Sequence, residues 1–118
     1  MGAKNDAQFG PVVLLGIGGT GVEIYNDVAI RMAPLEKRDV EDMIRCLKGR
    51  ELLLGYRGQS AIDLEGLTEI LLTFSNLVMD MATYFDSIDI NPLMCSSERC
   101  VIADARIILK SREGDVRS

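Results

Sequence analysis

The sequence predicts an α+β domain, a mostly antiparallel sheet with two helices on one face. Three observations carry this expectation. Residues 22–32 and 87–109 alternate apolar with polar, the period of a strand. Residues 40–47 and 64–81 repeat their apolar positions at helical spacing. The order is therefore strands, helix, helix, strands, with no internal repeat and no low-complexity tract, which suits a sheet covered by helices on one side.

The elements follow in order. "VVLL" is an apolar run that leads into Gly16-Ile-Gly18-Gly19-Thr-Gly21, which spells the G-x-G-x-x-G of a dinucleotide loop. Such a loop must open a helix, because the pyrophosphate sits on the helix N-terminus. Here Val22, Ile24, Val28, Ile30 and Met32 share one parity, with Glu23, Asp27 and Arg31 on the other, so extended chain follows instead. Asn26-Asp27 could turn this run into a hairpin. The loop is then either a plain glycine connection between strands or one whose missing Cβ atoms let backbone approach phosphates.

Val40, Met43, Ile44 and Leu47 line one face of a first helix, stopped by Lys48 and Gly49. "GYRGQSAI" reads as a loop. Asp63 caps a second helix in which Leu64, Leu67, Leu71, Phe74, Leu77, Val78 and Met81 face the core. Gly66 in its first turn costs about 1 kcal/mol against alanine. In "SIDINPLMCSSERCVIADARIIL" the four residues "SSER" make a hairpin loop. A symmetric register sets Cys95 opposite Cys100, Asn91 opposite Asp104, and Asp89 opposite Arg106 as an acid–base pair. Pro92, which lacks an N–H, places this strand near an edge or its amide position away from the ladder.

Composition narrows the function. The 118 residues suit one domain, and a net charge of −5 argues against unspecific binding to nucleic acid or anionic membrane. No apolar stretch approaches the ~20 residues of a membrane span, and "MGAKNDAQFG" reads as a short polar lead. Three cysteines without zinc spacing suit a reducing cytoplasm, with Cys95 and Cys100 as free thiols. The absence of histidine removes the commonest general base and any Ser-His-Asp arrangement. Asn91 and Asp104 remain as hard oxygen donors suited to magnesium, or as parts of an exposed polar hairpin face.

"FGPVVLLGIGGTGVEIYNDVAIRMAPL", "LLLGYRG", "DINPL" and "ADARI" together resemble the C-terminal part of the ATP-grasp domain of ADP-forming acyl-CoA synthetases. They are more distantly similar to the β subunit of succinate–CoA ligase, which shares the Gly-Val-Glu-Ile and Ile-Asn-Pro-Leu stretches. The resemblance runs from about Lys4 to Leu109 in the family's order. It implies an ATP-grasp C-terminal subdomain over residues 1–118, with an ordered core over 9–109. It also implies that Asn91 and Asp104 hold Mg²⁺ on the phosphates of ATP or ADP, and that Gly18, Gly19 and Glu23 line the same cleft.

The family's first ATP-grasp subdomain, with its phosphate-binding lysine, and the CoA-binding domains have no counterpart here. The family also passes phosphate through a histidine, which this chain lacks. The resemblance thus implies a piece of a ligase that is inactive alone and works with those partners in the cytoplasm. Leu15 and the small pair Thr20-Gly21 depart from the commoner family pattern. They match a branch that includes chains fused to a GNAT acetyltransferase. An ATP-grasp-like part of such a protein acetyltransferase, or an interaction module without nucleotide binding, are the alternatives.

Overall fold

A computed structural model describes residues 1–17, 27–55, 58 and 60–111. The main sheet has five strands in the order β3-β2-β1-β4-β7, every neighbouring pair antiparallel. Its strands are β1 (Gly2–Asp6), β2 (Gly10–Gly16), β3 (Val28–Met32), β4 (Phe85–Ile90) and β7 (Ala105–Leu109). A separate two-stranded ladder joins β5 (Leu93–Cys95) to β6 (Cys100–Ile102). Helices α1 (Lys37–Cys46), α2 (Arg50–Leu54) and α3 (Leu64–Asp80) lie between β3 and β4 in the chain.

The core forms where α1 and α3 meet the sheet. Val40, Met43, Ile44 and Leu47 from the first helical run are buried with Leu67, Leu71, Phe74 and Val78 of α3. They join Ala3, Val13, Leu15, Ala29, Ile88 and Ile90 from alternate positions of the strands. The sheet period of two and the helix period of 3.6 thus aim at one layer. Asp63 caps α3 by accepting from the Gly66 N–H at 2.9 Å. A Cβ on Gly66 would press against that carboxylate, which accounts for glycine in the first turn. Within the core, the buried Ser75 hydroxyl accepts from the Leu35 N–H at 2.6 Å.

Several expectations need correction. The supposed polar lead before Phe9 is β1, the central strand of the sheet, so the ordered core begins well before residue 9. Its small residues are what the position demands: a Cβ on Gly2 would come within 2.8 Å of the Ile88 carbonyl oxygen. Asn5 then ties β1 to the corner after α3, donating to the carbonyls of Ala82 and Phe85 at 2.7 and 2.6 Å. Asp6 closes the β1–β2 turn by accepting from the N–H groups of Phe9 and Gln8, which hold its carboxyl below the usual range.

The first helix ends at Cys46, and a short third helix, α2, follows with Gly49 at its N-cap. Leu77, expected in the core, is 45% exposed, and it borders an open apolar groove with Ile70, Phe74, Ile90 and Ile102. Leu64 and Met81 are only partly buried. Positive φ angles at Gly55 (99°) and Gly58 (81°) account for the glycines of the link before α3. No helix among the described residues is long and apolar enough to cross a membrane.

Candidate functional site at the glycine-loop end of the sheet

The hairpin register is the one expected. Cys95 opposes Cys100, and Asp89 opposes Arg106. Between these two ladders the Asn91 N–H donates to the Asp104 carbonyl at 3.2 Å, and the Ala103 N–H to the Pro92 carbonyl at 3.0 Å. Asn91 and Asp104 therefore stand side by side at the mouth of the main sheet, both exposed to solvent.

Following the pairings across the sheet locates this end. Ile30, Leu14, Gly2, Asp89 and Arg106 form one continuous row. Two positions further outward lie Val28 and Gly16 on one side and Asn91 with Asp104 on the other. Beyond Gly16 the Ile17 N–H donates to the Asp27 carbonyl at 3.4 Å. Both described ends of the glycine-containing segment thus lie at the same edge as Asn91 and Asp104. Gly18, Gly19 and Glu23, and the alternation across residues 22–26, lie outside the described residues.

The donor set fits a hard cation. One Asp104 oxygen, Oδ1, accepts from the Ala105 N–H at 2.9 Å, which leaves Oδ2 free to ligate. Among the described residues the Asn91 side chain has no hydrogen-bond partner. Magnesium takes one or two protein oxygens and fills its remaining positions with water and phosphate oxygens, so two donors at an open edge suffice. Among the described residues no group of three or more His, Cys, Asp or Glu side chains could hold a metal, so a closed zinc-type site is not formed there.

Asp89 and Arg106 share a register position but make no ion pair within 4.0 Å; the described pairs are Arg38–Glu36 and Arg45–Asp42. Both side chains are exposed, and at such positions solvent screening removes most of the gain from pairing. The two cysteines are free thiols. Burial, then the hydrogen bond with Cys100, pushes the Cys95 thiol up to about 12.

Two features were missed. The first is a cleft of about 260 Å³ between the sheet and α2, bordered by Gly16, Ile17, Leu52, Leu53, Ile62 and Asn91. The second is Asp27, assigned to a turn but in fact buried, its carboxylate accepting from the N–H groups of Lys48 and Gly49 at 2.6 and 2.9 Å. Its parity was the available signal. Asp27, Ala29 and Arg31 face the helices, while Val28, Ile30 and Met32 are 46, 52 and 59% exposed on the open face.

An antiparallel sheet with one open face, helices behind it and paired oxygen donors at one end belongs to the ATP-grasp class. The family described as "ATP-grasp domain" matches residues 1–109, and the chain is a member of it. More particularly, it is 39% identical over 112 residues to the β subunit of ADP-forming acetate–CoA ligase II from Pyrococcus furiosus, covering 93% of this chain and 48% of that one. It is 37% identical over 109 residues to 4-hydroxybutyrate–CoA ligase (ADP-forming) from Nitrosopumilus maritimus, covering 91% of this chain and 16% of that one. Among solved structures it matches the dinucleotide-forming acetyl-coenzyme A synthetase 1 of Candidatus Korarchaeum cryptofilum, solved with coenzyme A and Mg-AMPPCP. The TM-score is 0.86 at 37% identity, over 92% of this chain and 51% of that one. A crystal structure from Pyrococcus horikoshii gives the same TM-score of 0.86 at 37% identity, over 92% and 46%. The chain spans about half the length of the β subunit that it matches.

Proposed function

We propose that this chain supplies the metal-binding wall of the nucleotide cleft in an ADP-forming acyl-CoA ligase. The observation that carries the reading is the placement of Asn91 beside Asp104 at the edge where the glycine-containing segment leaves and rejoins the sheet. Asn91 Oδ1 and Asp104 Oδ2 would hold Mg²⁺ on the nucleotide phosphates, with Gly18, Gly19 and Glu23 lining the same cleft. Bound there, the ion would neutralise phosphate charge and align the transferred group. The chain's own contribution is positional. The β4–β7 pairing fixes the spacing of the two donors, and an open edge leaves room for waters and a polyphosphate.

The overall reaction would interconvert acyl-CoA, ADP and phosphate with acid, CoA and ATP. Other parts must complete it. The cleft needs a second ATP-grasp subdomain for the adenine, and CoA-binding domains with a phosphate-carrying histidine. The absence of histidine from this chain and the greater length of its relatives support that division. So does the apolar strip of Val28, Ile30 and Met32, left uncovered on the open face. The chain alone should form no acyl-CoA and bind ATP with Kd above roughly 0.1 mM, since half of the cleft is lacking.

The test is acyl-CoA synthesis by the assembled enzyme carrying Asp104→Asn or Asn91→Ala. Each should lower turnover on the order of a hundredfold with the melting temperature preserved. Near-normal turnover in both would refute the assignment, as would ligase activity of the purified chain by itself.

A further inference from the structure

Asp27 is a buried carboxylate to which the proposed metal chemistry gives no part. With Ser75 it is one of two buried polar residues among those described. Each of its oxygens takes a different backbone donor, Oδ1 from Lys48 at 2.6 Å and Oδ2 from Gly49 at 2.9 Å. Its own carbonyl accepts from Ile17. One residue thus joins the end of β2, the start of β3 and the corner between α1 and α2.

The corner is closely packed, and a side chain at Gly49 would have to displace the tip of Ile17. A Cβ on Gly49 would lie 2.7 Å from Ile17 Cδ1 and 3.2 Å from Asp27 Oδ2. Gly49 is the N-cap of α2, and the Asp27 carboxylate holds its N–H and that of the preceding Lys48 from across the gap. Leu52 and Leu53 of α2 line the 260 Å³ cleft together with Gly16, Ile17 and Asn91. The Lys48 and Gly49 amides held by the carboxylate lie immediately before α2, whose leucines border the cleft beside Asn91.

We infer that Asp27 is a positioning residue for magnesium–nucleotide binding, acting through the Lys48 and Gly49 amides to hold α2 against the end of β2. The inference rests on the nucleotide reading above. An asparagine at this position offers one acceptor and turns its NH₂ donors towards an N–H, so the clamp fails although the size is kept. By linkage, a clamp that favours binding must itself be stabilised by the bound nucleotide.

The experiment compares Asp27→Asn with Ser75→Ala in the assembled ligase. Ser75 is also buried and hydrogen-bonded but lies in the core and does not border the cleft. Asp27→Asn should raise KM for MgATP, and Kd for MgADP by calorimetry, by about tenfold, with KM for CoA within about twofold. Ser75→Ala should lower the melting temperature and leave every KM unchanged. If Asp27→Asn only lowers stability, like Ser75→Ala, the inference is overturned and Asp27 is structural. Should the variant fail to fold, the wild-type enzyme still decides: saturating MgADP should slow hydrogen exchange at the Lys48 and Gly49 amides by about tenfold, and unchanged exchange would overturn the clamp. Wild-type enzyme that binds no MgADP would refute the nucleotide reading and the clamp together. Equal binding by wild type and Asp27→Asn would refute the clamp alone.

Discussion

The two faces of the sheet answer to different demands. On the helix side, Val13, Leu15 and Ile88 disappear beneath Met43, Leu71 and Phe74, and the chain satisfies itself. On the open side, Val28, Ile30 and Met32 stay exposed beside Lys4, Asp89 and Arg106. The covered face holds the fold together. The open face carries aliphatic and charged side chains that gain little from each other, as expected of a surface completed by a ligand and a second body. Substitutions on the covered face should therefore act on the fold, and those on the open face on contacts with a second body.

The largest effect on stability should come from the covered face. Phe85→Ala removes a fully buried ring and should cost about 3–5 kcal/mol in denaturant unfolding of the chain. A loss below about 1 kcal/mol would mean that the core is loose. Next is the cap of α3: Asp63→Ala should cost about 1 kcal/mol by the same measurement, through loss of the bond to the Gly66 amide.

The open face should reverse the order of consequences. Ile30→Ser ought to cost the chain's own stability less than about 1 kcal/mol, because the residue is already 52% exposed. The same change should weaken assembly with the remaining ATP-grasp subdomain, read by sedimentation. A large loss of intrinsic stability would show that the strip is not a free surface.

The smallest effect belongs to the cysteines. Replacing both Cys95 and Cys100 by serine should leave the melting temperature under reducing conditions nearly unchanged, since neither forms a disulfide. With its thiol raised from 9.0 to about 12, Cys95 is favoured in its protonated form by the fold. That contribution is complete below pH 9 and is lost as the pH rises towards 12. Alkylation at pH 8 should accordingly reach the exposed Cys46 well before Cys95.

Much of the covered face was legible in the sequence, because apolar residues spaced as in Val40–Leu47 and Leu67–Val78 line up on a helix and scatter to both faces of a strand. The hairpin register was equally plain, since a four-residue loop leaves one symmetric pairing from Cys95 back to Asp89. β1 escaped notice for a physical reason. Gly2 and Ala3 sit where neighbouring strands crowd, so smallness rather than hydrophobicity selects them, and no apolar–polar alternation marks the strand. The alternation in Val28–Met32 correctly marked a strand, but period two does not say which parity is buried. Here the apolar parity faces out and the parity bearing Asp27 faces in. Leu77 illustrates the same limit on a helix, where an apolar residue at the edge of the stripe borders an open groove instead of the core. Asn91 and Asp104 could be paired from register alone and suit magnesium as oxygen donors; the resemblance of the surrounding motifs is what favours magnesium over a plain polar hairpin face.

The central claim is that Asn91 and Asp104 act as a pair on the metal–nucleotide complex without contributing to the fold. The most direct measurement is a Mg²⁺ titration of ADP binding, by calorimetry, to the assembled ligase as wild type, Asn91→Ala and Asp104→Asn. Each variant should require about tenfold or more additional Mg²⁺ to reach half-saturation, with the defect larger for Asp104→Asn because it removes a charge as well. Both should melt at the wild-type temperature. Superimposable titrations for all three proteins would contradict the account and leave this edge of the sheet a polar surface.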